Sequence, residues 1–476
     1  MSNQLQSYLE LPYSELEEMN LRAKEQRQKR VPSEQIQAER IKYLTEEKGI
    51  KAVTLLFSDL EGRLHMLDYD KKFFIKSWDN LTFDGSSIRG FAAQHESDLR
   101  LGIDWSAFYW GPADIFGPGK VMVFGEVIDK DGKPYAADLR AVLKAYAHNL
   151  YEKDGYTLNA ANEIEGFLFK GVDAERNYHE TSKFEYVSAG GYYHSLPGDT
   201  LRTFIDHAAE VQRAMGFQNE KDHPEVAPSQ FEINYGYAEV VAAADQIQIY
   251  KLICRQVATK MGLSACFLPK PIVGVNGSGM HSNVSIMKDN KNLFWDPEGL
   301  EKMSPFAWQF VDRILTHGND LCLIMNSSVN AYRRLDPHFE APNQLKASAV
   351  DRGSMVRIPL GNSRSARLEV RAVAPDANPY LLLYSIFRTG IEGDIAQVEN
   401  LRNAHRYLPD NIYDAIKNFN DAEWTTKLLG ADVKGRFADL KKASADRCPR
   451  LLGTVVKSPE IQFHHEVYTQ FLWNLF

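Results

Sequence analysis

Asn162-Glu163-Ile164-Glu165-Gly166-Phe167 is the stretch on which the reading of the fold turns. Its two carboxylates stand at i and i+2, so in a β-strand both project from one face while Ile164 projects from the other. Three more segments repeat the pattern: Gln230-Phe231-Glu232-Ile233-Asn234, His281-Ser282-Asn283-Val284-Ser285 and Arg367-Leu368-Glu369-Val370-Arg371. In the last, Leu368 and Val370 fall on the opposite face, as a core-backed strand requires. Alternation of this kind is routine in an antiparallel sheet with one wet face, and for any single segment that is the simpler reading. A wet face, however, mixes in Lys, Thr and Ser, whereas these positions hold carboxylates, a histidine and arginines, the types that bind hard cations and phosphates. With Glu225, from His223-Pro224-Glu225-Val226, the candidate metal ligands are Glu163, Glu165, Glu225, Glu232, His281 and Glu369. Five clustered carboxylates repel one another unless divalent ions neutralise them, and oxygen-rich ligation with one imidazole suits Mg²⁺ or Mn²⁺ better than zinc. Arg334, Arg352, Arg357, Arg367 and Arg371 crowd the same part of the chain. Metals beside arginines point to phosphoryl transfer.

The rest of the 476-residue chain is read outward from these strands. Its length allows two or three domain equivalents, and 44% hydrophobic with 25% charged residues is the composition of a folded globular protein. A formal net charge of −8 supplies no general field for nucleic acid. No apolar run is long enough for a membrane span and the first 30 residues lack an apolar signal core, so no membrane partner and a cytoplasmic location are expected. Cys254, Cys266, Cys322 and Cys448 lie far apart without a CxxC pair, as in reduced thiols. Residues 1–33 form an appended arm whose basic cluster, Arg22 to Arg30, reads most simply as a solvated helix or a frayed terminus. A helix is predicted from Ser33 to about Lys48, with Ile36, Ile41 and Leu44 on one face. Two apolar runs, 52–57 and 63–68, flank Ser58-Asp59-Leu60-Glu61-Gly62 as a hairpin. With a strand over 121–127 they make a small unit over 34–137, ending near Asp131-Gly132-Lys133-Pro134. From 138 to 476, helices predicted over 141–152, 200–215, 242–261 and 305–323 alternate with strands in one larger α+β domain. Neither a P-loop nor a G-x-G-x-x-G fingerprint is present. Gly274-Val275-Asn276-Gly277-Ser278-Gly279-Met280-His281 instead offers a glycine-rich entry into the histidine strand.

Several motifs in order make the chain resemble the type I glutamine synthetases: Phe83-Asp84-Gly85-Ser86-Ser87-Ile88, Asn162-Glu163-Ile164-Glu165, the stretch from His223 to Glu232, Pro269-Lys270-Pro271 through His281, Glu340-Ala341-Pro342, Arg352 to Pro359, and Arg367 to Arg371. The resemblance implies a β-grasp-like N-terminal domain and a catalytic domain with a curved antiparallel sheet. It implies ATP-dependent ligation of glutamate and ammonia through γ-glutamyl phosphate, in nitrogen assimilation. By the same likeness Glu165, Glu225 and Glu232 hold one metal and Glu163, His281 and Glu369 another. Glutamate would meet Asn276, Gly277, Arg334, Glu340, Arg352 and Arg371, and ATP would meet Glu220, Ser285, Arg352, Arg357 and Arg367. Arg352 and Arg371 would also stabilise the transferring phosphoryl group. Asp84, Tyr192 and Glu340 would shape the ammonium pocket, Asp84 accepting the proton and Glu340 closing a flap. A dodecamer of two hexameric rings, with Asp84 entering the neighbouring subunit's site, is implied as well.

Some positions depart from the family pattern. Asn283 replaces a second histidine that many members carry, Pro224 follows His223 where another histidine is common, and Ala92 stands where the feedback-inhibited subtype has an arginine. No N-L-Y-D-L segment occurs between Ile391 and Leu408, so adenylylation is not expected. The alternatives are a γ-glutamyl ligase using a primary amine or polyamine, against which the intact D-G-S-S-I speaks, and a non-catalytic structural relative, against which the six filled metal positions speak.

Overall fold

The computed structural model describes residues 10–452 apart from 93–97, 175–177, 179–182, 337, 338, 340 and 404, with the backbone alone for 447–452. Its first sheet contains β1 (Ala52–Ser58), β2 (Leu64–Asp70), β3 (Leu81–Asp84), β4 (Asp98–Tyr109) and β5 (Lys120–Ile128), in the order β2-β1-β5-β4-β3. The expected hairpin is β1 and β2, with Leu55 opposite Leu67, and β1 also pairs in parallel with β5. β4 is long and has no counterpart in the sequence reading. Gly102 and the polar residues Asp104 and Ser106 interrupt its apolar pattern, and its ladder slips between Ile103 and Phe108.

The second sheet contains β6 (Thr157–Lys170), β7 (Asn219–Pro224), β8 (Gln230–Tyr235), β9 (Ala238–Glu239), β10 (Leu263–Cys266), β11 (Met280–Lys288), β12 (Lys291–Asn292), β13 (Gln344–Ser348), β14 (Ser354–Arg357) and β15 (Leu368–Val370). It runs β13-β14-β15-β11-β6-β8-β7 and curls into a half-barrel. β6 changes partners along its length: residues 157–164 pair with β11 and residues 165–167 with β8. At the seam the buried Tyr250 hydroxyl donates to the Ile164 carbonyl at 3.0 Å, so the change of partner leaves that acceptor satisfied.

Helices back both sheets. Leu139–Asp154 starts at the Asp138 cap, whose carboxylate accepts from the Arg140 and Ala141 amides, and stops at Gly155 in the left-handed region. Thr200–Ala214 and Val240–Lys260 follow the predicted pattern, with Ile247 and Ile253 fully buried, whereas Pro379–Glu392, with Leu382 and Phe387 fully buried, has no counterpart in the sequence reading. The single helix predicted over 305–323 is two, Pro305–Thr316 and Gly318–Met325. His317 breaks it: its ring bonds Asp320 at 2.8 Å and stacks on Trp424. Arg140, almost fully buried, joins the first sheet, through Asp104 of β4 (2.9 Å), to helix Val240–Lys260, through Asp245 (2.8 Å).

The arm corrects its sequence reading. Helix Tyr13–Gln28 is docked rather than solvated or frayed, with Leu16, Asn20 and Ala23 buried. The Asn20 amide donates to the carbonyls of Trp110 (2.8 Å) and Ala214 (2.9 Å), and its oxygen accepts from the Trp110 amide. Part of the basic cluster turns inward, Arg27 pairing with Asp245, while Arg22, Lys29 and Arg30 are exposed, Arg30 lying over the Tyr151 ring. Among the described residues no helix is long and apolar enough to cross a membrane.

Candidate active site

The change of partner in β6 sends its two same-face carboxylates to different neighbours. Glu163 stands opposite His281 of β11, and Glu165 stands opposite Glu232 of β8. In the first group His281 Nδ1 lies 3.7 Å from Glu163 Oε2 and 3.7 Å from Glu369 Oε1. In the second, His223 Nδ1 lies 3.5 Å from Glu225 Oε1, and its Nε2 lies 3.5 Å from Glu232 Oε1. These separations are long for hydrogen bonds, and those about His281 Nδ1 match the roughly 3–4 Å between neighbouring ligand atoms around an ion held at about 2.1 Å. In the second group Nε2 of His223, 3.5 Å from Glu232, is the candidate ligand atom, since Nδ1 lies 3.2 Å from the Pro224 carbonyl.

The charge distribution supports the same fit. Burial, reinforced by Glu165 and Glu232, pushes the Glu225 carboxyl up to about 9. Glu165 is raised by burial and by Glu232, with His281 opposing. Burial acts the same way on Glu163, but His281, Lys221 and Asn283 outweigh it and hold that carboxyl at about 2. A cluster that cannot ionise fully on its own, beside a buried His223 Nε2 with no hydrogen-bond partner, is a donor set suited to divalent cations.

The arginines ring the first group. Glu369 accepts from Arg371 Nη1 and from Arg357 Nη1 (2.8 Å), Arg357 lying opposite it on β14. Arg334 is buried at the end of helix Val329–Arg334, where Nη2 donates to the Arg371 carbonyl (3.1 Å) and Nη1 has no hydrogen-bond partner. Burial draws its guanidinium down to about 10. Arg352 is exposed, and its carbonyl accepts from Arg371 Nε. His281, Asn283 and Ser285 share one face of β11. Asn283 Nδ2 donates to Glu163 Oε1 (3.1 Å), and its oxygen accepts from Arg367 Nε (2.9 Å). Glu220 is exposed on β7. Asn276 and Gly277 are half-buried in the glycine-rich loop, which Gln230 ties down through the Gly277 carbonyl (3.0 Å). At Gly279 a Cβ would lie 2.6 Å from Arg334 Nη2 and 2.7 Å from His281 Nε2, so glycine is what lets the arginine and the histidine approach.

Two expected residues stand elsewhere. Glu340 lies outside the described residues. Asp84 is exposed at the end of β3, an edge strand of the first sheet. Its carboxylate accepts from the Ser86 amide (2.9 Å) and the Ser86 and Ser87 hydroxyls (2.6 and 2.8 Å), which hold it below the usual carboxylate range. Among the described residues it makes no hydrogen bond or ion pair with the large-sheet cluster. Tyr192 is also exposed, its hydroxyl donating to that of Tyr193 and its ring 5.6 Å from His223. His223 itself was not among the predicted ligands. It shows the same i, i+2 spacing with Glu225, but Pro224 between them argues against reading a strand.

The sequence profile of the glutamine synthetase catalytic domain matches residues 136–452, and that of the glutamine synthetase beta-Grasp domain matches residues 49–130. The chain belongs to the glutamine synthetase family. It is 36% identical over 424 residues to the glutamine synthetase of Methanosarcina mazei, covering 84% of this chain and 92% of that one. It is 34% identical over 437 residues to that of Staphylococcus epidermidis, covering 87% and 96%. Among solved structures, GmaS with ADP superposes with a TM-score of 0.73 at 26% identity, over 85% of this chain and 95% of that one. Plasmodium falciparum glutamine synthetase superposes at 0.76 and 20% identity, over 87% and 96%, a likeness of fold. The family uses ATP and divalent metal.

Proposed function

We propose that this protein ligates L-glutamate and ammonia to L-glutamine, with ATP hydrolysed through a γ-glutamyl phosphate intermediate, in the assimilation of nitrogen. The observation that carries this reading is the pair of carboxylate–imidazole groups flanking the Glu163-Ile164-Glu165 seam beside buried arginines. In it Glu163, His281 and Glu369 hold one divalent ion, and Glu165, Glu225 and Glu232, joined by His223, hold the other. Bound Mg²⁺ or Mn²⁺ would neutralise charge on the phosphates. Glu220, Ser285, Arg357 and Arg367 receive ATP. The free Nη1 of Arg334 is an open donor for a substrate carboxylate, and Asn276, Gly277 and Arg371 complete the glutamate contacts.

A carboxylate is a poor electrophile, so its γ-oxygen is first phosphorylated while Arg352 and Arg371 take up charge on the transferring group. Ammonia then displaces phosphate. Ammonium needs an anion that attracts it and accepts its proton; Asp84 fills that role, with Tyr192 bordering the pocket and Glu340 covering the acyl phosphate against water. Asp84 sits on the first sheet and, among the described residues, makes no hydrogen bond or ion pair with its own cluster, which supports its acting in the site of an adjacent copy, within a dodecamer of two hexameric rings in the cytoplasm.

A second reading has one observation in its favour: the fold likeness to GmaS, a γ-glutamylamide synthetase, at 26% identity. Phosphate release from ATP and glutamate with ammonia, methylamine and a polyamine as nucleophiles separates the two. Preference for ammonia is expected. Preference for methylamine moves the assignment to amine ligation, and no release with any nucleophile overturns both.

A further inference from the structure

Arg89 follows the Asp84 turn and reaches Glu61, Nη1 to Oε2 at 3.0 Å. The other carboxylate oxygen, Oε1, accepts at 2.9 Å from Lys441 Nζ of helix Glu423–Leu452, the C-terminal helix of the described residues. The Glu61 side chain is 4% exposed and that of Lys441 6%, so one buried carboxylate holds two cations from distant parts of the chain. Neighbouring contacts tighten the same junction. Glu61 sits in the β1–β2 turn, whose carbonyls are fixed by the catalytic part: Gln248 donates to Gly62 (2.7 Å) and Asn378 to Leu60 (3.0 Å). Beyond Arg89, Gly90 adopts φ 79°, and a Cβ there would meet Leu60 at 2.7 Å and Leu440 at 2.9 Å. Arg436 then donates to the Phe91 carbonyl at 3.1 Å. Residues 89–91 are thus clamped between the hairpin turn and the C-terminal helix. Among the described residues Asp84 bonds within its own turn, so its direction is set by what fixes the chain on either side: β3 before it and this clamp after it.

We propose that Glu61 is a positioning residue for ammonium capture, fixing the aim of Asp84 by holding Arg89 against the C-terminal helix. The inference rests on the role proposed for Asp84. A buried carboxylate stripped of one partner strands the remaining charge, so the three groups act as a unit.

The test is steady-state kinetics on the full-length assembly, varying ammonium and ATP separately, for Glu61→Gln, Arg89→Ala, Arg89→Lys and Asp84→Asn, with thermal unfolding in parallel. The Arg89 side chain is 36% exposed, so Arg89→Ala decides the matter even where Glu61→Gln does not fold. Arg89→Ala and Glu61→Gln are each expected to raise the ammonium KM about tenfold while the ATP KM stays within about twofold. Arg89→Lys should stay near wild type, and the double variant should be no worse than either single one. A wild-type ammonium KM in Arg89→Ala, with Asp84→Asn impaired, overturns the proposal and leaves Glu61 a purely structural group. A wild-type ammonium KM in Asp84→Asn overturns the role of Asp84 itself, and the positioning role with it.

Discussion

Single side chains decide how much chemistry the large sheet can support. Glu163 and Glu165 were legible in the sequence because a strand's period of two puts them on one face, and their neighbours Glu232, His281 and Glu369 share the signal. His223 was not, since the proline beside it breaks the strand reading even though its backbone pairs with Glu232 in register. Its ring stands at hydrogen-bond-plus distance from two carboxylates and offers an unused nitrogen. His223→Ala is therefore expected to weaken Mn²⁺ binding on the order of tenfold or more, read by the free-ion signal in electron paramagnetic resonance titrations. Affinity equal to wild type removes His223 from the ligand set. Asp84 entered the candidate set only through the D-G-S-S-I resemblance, because nothing in one exposed aspartate's spacing distinguishes it from any turn residue.

At the scale of elements, the hairpin, the helices Ser33–Glu46, Leu139–Asp154, Thr200–Ala214 and Val240–Lys260, and the four charged strands follow from local pattern, whereas β4, the docked arm and the helices Pro379–Glu392, Ile412–Asp421 and Glu423–Leu452 do not. The arm's buried face includes Asn20, which any hydropathy pattern counts as polar. Its amide is nevertheless satisfied by carbonyls from two other elements. Removing it leaves the Trp110 amide and the carbonyls of Leu16, Trp110 and Ala214 without that partner. Asn20→Ala should cost about 1–3 kcal/mol in urea unfolding and raise hydrogen exchange in helix Tyr13–Gln28. Turnover by the folded protein should persist. Unchanged exchange in that helix would show that apolar contacts alone dock it. The break at His317 was missed for the converse reason: apolar periodicity continues through it, and only the ring's contacts with Asp320 and Trp424 turn the chain.

For the whole molecule, the separation of Asp84 from the carboxylate groups gives the sharpest test. Chains carrying Asp84→Ala and chains carrying Glu369→Ala should each be inactive. Mixed by reversible dissociation in equal amounts, they should recover about a quarter of wild-type turnover, since random pairing gives that share of sites two intact halves. No recovery, with mixing confirmed by mass, would mean that each site is built within one chain. The seam in β6 has a different consequence. Two same-face residues on one strand are separated by two residues' rise, roughly 6.5–7 Å, whatever surrounds them. The spacing of the two carboxylate–imidazole groups is therefore gauged by covalent geometry, like marks on a ruler. Loops, helices and the arm can shift or exchange residues around that ruler, retuning which nitrogen compound arrives, without altering the interval that the proposed phosphoryl transfer would span.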